Sequence, residues 1–291
     1  MKKIKFLAMM IAALSFTMGF TACGDDDDDT PDSSLWVGEI GAPAHEADAV
    51  AYRITNSSEY SAIELTASGN YIVTPAALAQ NNASAARRSM FKAVAQEARS
   101  SRASNYNGVF GIYTKLSDGS YNLEGFGVLS PYNNGSLTLT LENGTTEVLD
   151  AVKVADIESN PLNNRLCRSW YVQSGEVLVY DQRGNLIDRE TITGSDLKDD
   201  YVQYVVVTKA GTFVQVDWGG YIEGNGEWAW LSALDQIFSY RFLDDYDDDD
   251  NGMVQVAFDN DHASFVESFY EYDDDYGQYV TVVQRINAVA R

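Results

Sequence analysis

The chain contains AIELTASGNYIV at residues 62–73 and YVVVTKAGTFVQ at residues 204–215, and the two segments align without gaps. Each reads as a strand, a turn with glycine at a left-handed position, and a second strand that opens with an aromatic residue. This order of features predicts a β-hairpin in each segment. Because the same hairpin occurs twice, the sequence predicts two copies of one β domain.

Two further matches follow in the same order along the chain. Residues 111–113 match residues 226–228 as the start of a strand that opens with glycine, and residues 137–141 match residues 254–258. Three matches in one order favour a repeat. We therefore expect an N-terminal β domain over residues 35–158 and a C-terminal one over residues 160–291.

Alternation of apolar and polar side chains indicates the strands. Leu137, Leu139 and Leu141 alternate with polar residues, and Asn143-Gly144 then supplies a tight turn. Many short strands separated by glycine turns, with almost no amphipathic helix, are typical of an antiparallel sandwich or barrel. The predicted fold class is all-β, with two tandem antiparallel barrel or sandwich domains.

Composition narrows the function classes. The chain has 291 residues, 45% of them hydrophobic and 12% aromatic, which is a globular composition. A formal net charge of -23 repels phosphate backbones, so nucleic-acid binding is not expected. Two cysteines and two histidines leave little material for a Cys/His metal site or a disulfide framework. We expect no cofactor and no metal.

The first residues have the pattern of an export signal. Lys2, Lys3 and Lys5 precede an apolar stretch over residues 4–20, and small residues lead to Cys23. A cationic start, a short apolar core and a small-residue exit predict a secretory signal over residues 1–22.

The end of this signal resembles the lipobox of bacterial lipoproteins. The resemblance implies that Cys23 is acylated, for instance by palmitate, and anchors the protein in outer-membrane lipid. Asp25 to Asp29 make residues 23–34 a self-repelling, solvated tether, and they resemble an acidic tag for the outward-facing side of the outer membrane. An ordinary secretory signal and a plain spacer are the alternatives. The expected location is the outer membrane, facing the extracellular side.

One stretch of the first domain departs from the strand pattern. Residues 76–107 are rich in Ala, Ser, Asn and Gln, and they carry five basic residues against one acid. Met90, Phe91 and Val94 lie near helical spacing, so the stretch predicts a short helical or disordered basic insertion. Membrane-surface binding is one reading and a solvated helical loop the other. The arginines also predict cleavage by trypsin.

The second half resembles the lipocalin-like domains of bacterial surface lipoproteins. The resemblance rests on Leu166 and Trp170 at the first strand, the hairpin of Val205 to Val216, the strand of Gly226 to Trp230, and a closing meander that ends at Val280 to Ile286. It departs from the family where Arg168 replaces a glycine. The family implies a closed barrel with a cavity for one small apolar ligand.

The resemblance also implies ligand-binding residues. A basic residue of the last strand covers the first-strand tryptophan in that family, so Arg285 is expected within about 6 Å of the Trp170 ring. The expected ligand-binding residues are Trp170, Trp218, Trp228, Trp230 and Arg285. The tryptophans can equally be core, because small barrels need large side chains to fill them.

No catalytic residues are expected. His45 and His262 have no motif that ties them to a nucleophile, and no pair of carboxylates stands out. The acidic loop of Asp244 to Gly252 partly fits a calcium loop, but the glutamate that such a loop needs at its twelfth position is replaced by Phe258. Weak calcium binding and a solvated hairpin loop both remain open.

These patterns lead to two hypotheses about function. The first is a lipid-anchored, non-enzymatic binding module with a small apolar or amphipathic ligand in the second barrel. The alternative is a structural or interaction subunit with filled barrels and no small-molecule ligand, which joins proteins or glycans at the cell surface. Cavity volume separates them, since ligand pockets run to about 300–1,000 Å³.

Overall fold

A computed structural model describes residues 49–76, 89–93, 109–132, 135–154, 160–220, 222–243 and 252–290. The expected signal over residues 1–22 and the acidic tether lie outside these ranges. The described residues are all-β apart from two short helices, so the predicted fold class is confirmed. None of the described helices is long and apolar enough to cross a membrane.

The first sheet is an antiparallel meander that curls into a nearly closed barrel. Its strands are β1 (Val50–Ile54), β2 (Tyr60–Leu65), β3 (Asn70–Pro75), β4 (Val109–Lys115), β5 (Tyr121–Leu123), β6 (Gly127–Pro131), β7 (Leu137–Leu141), β8 (Thr146–Leu149) and β9 (Ala151–Lys153). Each strand from β1 to β7 pairs with the next, and β9 returns to pair with β1. Only Asp150 separates β8 from β9, and its carbonyl accepts the Thr55 N–H at 3.0 Å across the seam.

The second sheet closes completely. Its elements are α1 (Asn163–Leu166), β10 (Ser169–Tyr180), β11 (Leu186–Ile192), α2 (Gly194–Asp200), β12 (Tyr204–Val207), β13 (Thr212–Val216), β14 (Ile222–Ser232), β15 (Ile237–Phe242), β16 (Gly252–Asp259), β17 (His262–Asp273) and β18 (Gln278–Ala290). The first strand, β10, pairs with β12 and with the last strand, β18, which closes an eight-stranded barrel. β11 pairs with the far end of β10 as an additional hairpin strand.

The two predicted hairpins fold in the same register. Leu65 lies opposite Tyr71 in the first copy, and Val207 lies opposite Phe213 in the second. The glycine in each turn has a positive φ, 84° in the first copy and 89° in the second, as the sequence predicted.

An aromatic side chain fixes each hairpin to the strand that follows it. The Tyr113 hydroxyl donates to the carbonyl of Thr66 at 2.9 Å, and Nε1 of Trp228 donates to the carbonyl of Thr208 at 3.0 Å. The two acceptors occupy the same position of the aligned hairpins. These equivalent contacts support the predicted repeat.

The third sequence match is wrong by one strand. Residues 137–141 form the third strand after β4, whereas residues 254–258 belong to the second strand after β14. The counterpart of β16 is β6, because Gly127 lies opposite Leu123 as Gly252 lies opposite Tyr240. Alternation marks a strand with one buried face but does not say which strand it is.

The repeated hairpins pack against each other. Ile72 of the first hairpin forms a buried cluster with Val214 and Val216 of the second, and Ile72 and Val214 are aligned positions. The rings of Phe110 and Tyr204 extend this contact, with centroids 6.2 Å apart. The outer face of each hairpin is therefore part of an apolar interface between the two barrels.

Candidate functional site

The second barrel has an interior lined by aromatic side chains from most of its strands. The buried ones include Trp170, Phe213, Trp228, Phe238, Tyr240, Phe242 and Phe265. Several of their rings meet edge to face, for example Trp170 and Phe265 with centroids 5.3 Å apart. Such contacts stabilise a core beyond the area that they bury.

The four tryptophans that the sequence singled out are held by hydrogen bonds within the protein. Trp170 and Trp228 are buried, while Trp218 and Trp230 are partly buried and pack against the same cluster. The indole N–H of Trp170 donates to Leu166 O at 2.8 Å, and that of Trp228 donates to Thr208 O at 3.0 Å. The indole N–H of Trp218 donates to Tyr201 O at 3.0 Å, and that of Trp230 donates to Asn163 Oδ1 at 2.7 Å. The four tryptophans thus belong to or pack against one core cluster, and a ligand-binding role for them stays a prediction.

Arg285 does not cover Trp170, so this expectation is wrong. Arg285 lies opposite Glu176 in the β10–β18 ladder, whereas Trp170 lies opposite Ala290. Five residues of strand separate Arg285 from Ala290, or roughly 17 Å at about 3.4 Å per residue. The guanidinium of Arg285 instead donates to Glu176 at 2.8 Å, and Glu176 also pairs with Arg189.

A different basic residue lies near Trp170, over the ring of Phe258. The Phe258 ring lies 6.0 Å from the Trp170 ring, and the guanidinium of Arg165 stands 4.8 Å from the Phe258 centroid. Arg165 belongs to α1, immediately before the first strand. A cation over the aromatic end of the barrel is therefore present, but α1 provides it rather than the last strand.

A segment of the first domain's insertion occupies the interior of the second barrel. We call Ser89 to Ala93 the plug segment. Met90 and Phe91 have no exposed surface, and both belong to the core cluster of the second barrel. The Phe91 ring packs on Phe265 with centroids 4.7 Å apart.

Polar side chains inside the barrel bind the backbone of the plug segment. Glu267 Oε1 accepts the Met90 N–H at 3.0 Å, and its other oxygen accepts the Ser89 hydroxyl. Nε2 of Gln215 donates to the carbonyls of Ser89 and Met90 at 3.1 and 3.0 Å, and Nε2 of Gln284 donates to Ser89 Oγ at 3.1 Å. All three barrel residues are buried, so these hydrogen bonds take the place of the bonds that the barrel side chains and the plug segment would otherwise make with water.

The plug segment also pairs with the chain that follows α2. Lys92 and Tyr201 form an antiparallel bridge. On either side of it, the Val202 N–H donates to Phe91 O at 3.0 Å and the Ala93 N–H donates to Asp200 O at 2.8 Å. The plug segment therefore combines strand-like pairing with residues 200–202 and burial of its apolar side chains in the core.

The predicted solvated helical loop is wrong for residues 89–93. These residues are not helical, and Met90 and Phe91 are buried in another barrel. The remaining residues of the insertion lie outside the described ranges. The signal available in the sequence was a pair of adjacent large apolar residues in an otherwise polar, basic stretch.

Sequence reasoning missed Glu267, Gln215 and Gln284 as site residues. Glu267 and Gln284 interrupt runs of apolar residues at alternate positions, and that exception is the available signal. Gln215 lies between Val214 and Val216, so alternation predicts that it faces away from the core, and its own strand gives no signal. Cys167 is buried in the same barrel, as expected of a small apolar side chain.

The plugged barrel combines a buried apolar interior with convergent polar groups, which are the features of a binding site. No family model, curated protein or solved structure matches this chain. The plugged barrel therefore has to be interpreted from its own contacts.

A small cleft lies between the two barrels and contains a second buried carboxyl group. The cleft has a volume of about 30 Å³ and is lined by residues that include Glu64, Ser68, Cys167 and Thr208. Roughly 10–15 Å³ suffices for one water, so the cleft has room for water but not for an organic ligand. Burial raises the pKa of Glu64, and hydrogen bonds from Thr212 and Thr208 oppose that shift.

The described residues contain no group of three or more His, Cys, Asp or Glu side chains arranged to hold a metal. Most of the acidic loop, residues 244–251, lies outside the described residues, which therefore do not decide between weak calcium binding and a solvated hairpin loop. At the acidic turn of Asp273 to Asp275, the Asp275 N–H donates to Asp273 Oδ1 at 2.9 Å, a bond typical of a plain turn.

Proposed function

We propose that the protein is a non-enzymatic interaction protein of the cell surface, anchored through acylated Cys23, whose barrels are filled by its own side chains. The observation that carries the proposal is the burial of Met90 and Phe91 inside the second barrel. A small apolar ligand would have to displace these two side chains. The filled interior therefore favours the structural or interaction alternative over the small-ligand carrier.

The energy of this filling supports the proposal. Burying a Met or Phe side chain contributes about 1.5–3 kcal/mol each. A small molecule that occupied the same volume would recover this energy only by making equally good contacts, and would also have to satisfy Glu267, Gln215 and Gln284.

An exposed tyrosine cluster on the β17–β18 ribbon is the surface best suited to a partner. Tyr270, Tyr272 and Tyr279 are 59%, 53% and 49% exposed, and the rings of Tyr270 and Tyr279 stack with centroids 5.4 Å apart. The Tyr276 hydroxyl donates to Asp188 at 2.9 Å beside them, which raises the pKa of Tyr276. Tyrosine is enriched at binding surfaces because its ring is apolar and its hydroxyl can hydrogen-bond.

Native mass spectrometry of the protein purified from its host tests the proposal. We expect the mass of the acylated polypeptide alone. A stoichiometric small molecule that survives desalting and disappears on unfolding would instead identify a ligand carrier.

The anchor is tested separately by metabolic labelling with an alkyne fatty acid. We expect label on the wild-type chain and none on the Cys23→Ser variant, with the Cys167→Ser variant labelled like wild type. Label that persists on Cys23→Ser would remove the proposed anchor.

The tyrosine cluster is tested with a photo-crosslinking amino acid in the host. We expect adducts to a protein or glycan from position 272 and none from position 234, where Leu234 is 93% exposed on the same barrel. Equal crosslinking from both positions would show that the tyrosine cluster is not the contact surface.

A further inference from the structure

The interior of the second barrel is built to bind a peptide backbone, not only to be filled. The plug segment has two carbonyls, an N–H and a hydroxyl that all bond to barrel side chains, through Gln215, Glu267 and Gln284. A filler needs only apolar contact, and buried polar groups are costly when they lack partners. The barrel therefore carries polar groups whose hydrogen bonds require a peptide segment inside it.

The barrel binds the plug segment through apolar contacts and hydrogen bonds, and these do not depend on the covalent connection between them. The apolar side chains of Met90 and Phe91 lie in the aromatic core, while Glu267 accepts the main-chain N–H of Met90. The Oε1 atom of Gln215 is buried and has no hydrogen-bond partner among the described residues. The site thus recognises a short Ser-Met-Phe backbone and has an acceptor to spare.

The length of chain around the plug allows it to come from elsewhere. Residues 77–88 connect β3 to the plug segment, and residues 94–108 connect the plug segment to β4. At about 3.3 Å per residue, such connections can reach roughly 40 Å, which is the scale of a neighbouring domain.

We propose that the second barrel is a peptide-binding site that accepts Ser89–Ala93 of a second copy of this chain as well as its own. The inference rests on the proposed interaction function, since it names the partner. In dilute solution the chain's own segment occupies the site, because the connection gives it a high effective concentration. Occupation by a second copy requires that the resident segment be absent or that copies be crowded.

The test uses the full chain with Met90→Ala and Phe91→Ala, which weakens the resident segment. A fluorescent synthetic peptide of residues 86–96 is titrated and followed by polarisation. We expect it to bind this variant at least ~10-fold more tightly than wild type, whose site is occupied. A peptide with Ser at both the Met and the Phe position is the control and should not bind.

Glu267 provides the matched control on the barrel side. Adding Glu267→Gln to the variant should weaken peptide binding by about 10-fold or more, because one of the two acceptors becomes a donor. Adding Glu227→Gln, which changes an exposed ion pair with Arg241 on the same barrel, should leave it unchanged. Equal effects of the two substitutions would overturn the assigned site.

Loss of folding does not remove the test. If the double variant is unfolded, the peptide added during refolding should restore native tryptophan fluorescence in trans, as the resident segment does in cis. The peptide is used at up to 1 mM, about the local concentration that a short connection provides. The inference is overturned if, at this concentration, the peptide fails to bind a folded variant and also fails to rescue an unfolded one. A small molecule found in the wild-type barrel would instead overturn the proposed function.

Discussion

At the scale of single residues, Glu64 shows how the environment of an outward-facing position can be misjudged. It alternates with Ile63 and Leu65, which are buried in the first barrel, so its side chain points outward. The outward side is the interface with the second barrel, and both oxygens of Glu64 accept from Thr212 Oγ1 at 2.8 Å. Alternation could predict which side of the strand Glu64 occupies, but not that a distant segment covers that side.

Glu64 should make the stability of the protein depend on pH. Its pKa in the folded protein lies above the ordinary value of a glutamate, about 4.5, because burial disfavours the charged form. The folded state therefore binds the proton more tightly, so the stabilisation is complete below about pH 4.5 and is lost as pH rises through the folded-state pKa. We expect Glu64→Gln to raise the melting temperature at pH 7 and to flatten this dependence.

Thermal unfolding between pH 4 and pH 8 checks this prediction. The exposed Glu190→Gln variant is the control and should follow the wild-type profile. A Glu64→Gln variant with the wild-type pH profile would show that Glu64 contributes nothing to it.

Glycines 111 and 226 should be intolerant of a methyl group for the same reason in both copies. A Cβ at Gly226 would lie 2.1 Å from the carbonyl oxygen of Arg241 and 2.3 Å from the Phe213 ring, and one at Gly111 would lie 2.6 Å from the Tyr71 ring. We expect Gly226→Ala to lower the free energy of unfolding by about 1–3 kcal/mol or more, since the backbone oxygen must move. Gly111→Ala should cost less, because only a side chain must shift.

Urea unfolding followed by tryptophan fluorescence measures both costs. An alanine at position 175, where the nearest atom would be 3.1 Å away in the Tyr201 ring, provides a milder comparison in the second barrel. A Gly226→Ala variant as stable as wild type would contradict the close approach between β14 and β15.

At the scale of elements, the hairpins were predictable and the plug segment was not. Alternation, a turn glycine and a following aromatic residue are local features, and they identified both hairpins. The position of Met90 and Phe91 depends on Phe265 and Glu267, which lie far along the chain. The same limit explains the mismatch of β7 with β16, because a strand's place in a sheet is set by its partners.

Truncation of the plug segment should destabilise the second barrel strongly. Met→Ala and Phe→Ala changes in a core cost about 2–5 and 3–5 kcal/mol each, so Met90→Ala with Phe91→Ala should remove about 5 kcal/mol or more. Urea unfolding measures the loss. Leu231→Ala with Leu234→Ala, which truncates two exposed side chains of the same barrel, should change stability by less than about 1 kcal/mol.

A double variant Met90→Ala, Phe91→Ala as stable as the exposed control would mean that the plug segment is not buried in solution. Burial of both side chains in the aromatic cluster is the only source of the expected loss, since neither side chain makes a hydrogen bond of its own.

At the scale of the whole molecule, the arrangement of the two barrels was beyond the sequence. Self-comparison predicted two copies, and the closed second barrel agrees with the fold that the lipocalin-like resemblance implied. Their interface is made by the outer faces of the repeated hairpins, at Ile72 and Val214. Apolar residues at outward positions were the available sign, since an exposed strand face is normally polar.

Cleavage of the insertion by trypsin should not make the resulting fragments come apart. Trypsin is expected to cleave at arginines of the insertion, such as Arg88 and Arg99, on either side of the plug segment. β3 pairs with β4 and β1 pairs with β9 across such cuts, and the plug segment stays buried. We expect fragments on a denaturing gel but a single native-sized species on gel filtration. Fragments that elute apart without denaturant would contradict this.

The plug segment also fixes an order of events during synthesis. Met90 is made before the carboxylate that binds its N–H, because Glu267 follows it by 177 residues. At ~5–20 residues per second, that delay is roughly 10–35 s. During synthesis the plug segment is therefore already present when the strands that bind it emerge, so a second barrel that folds on the nascent chain has the segment at hand as it closes.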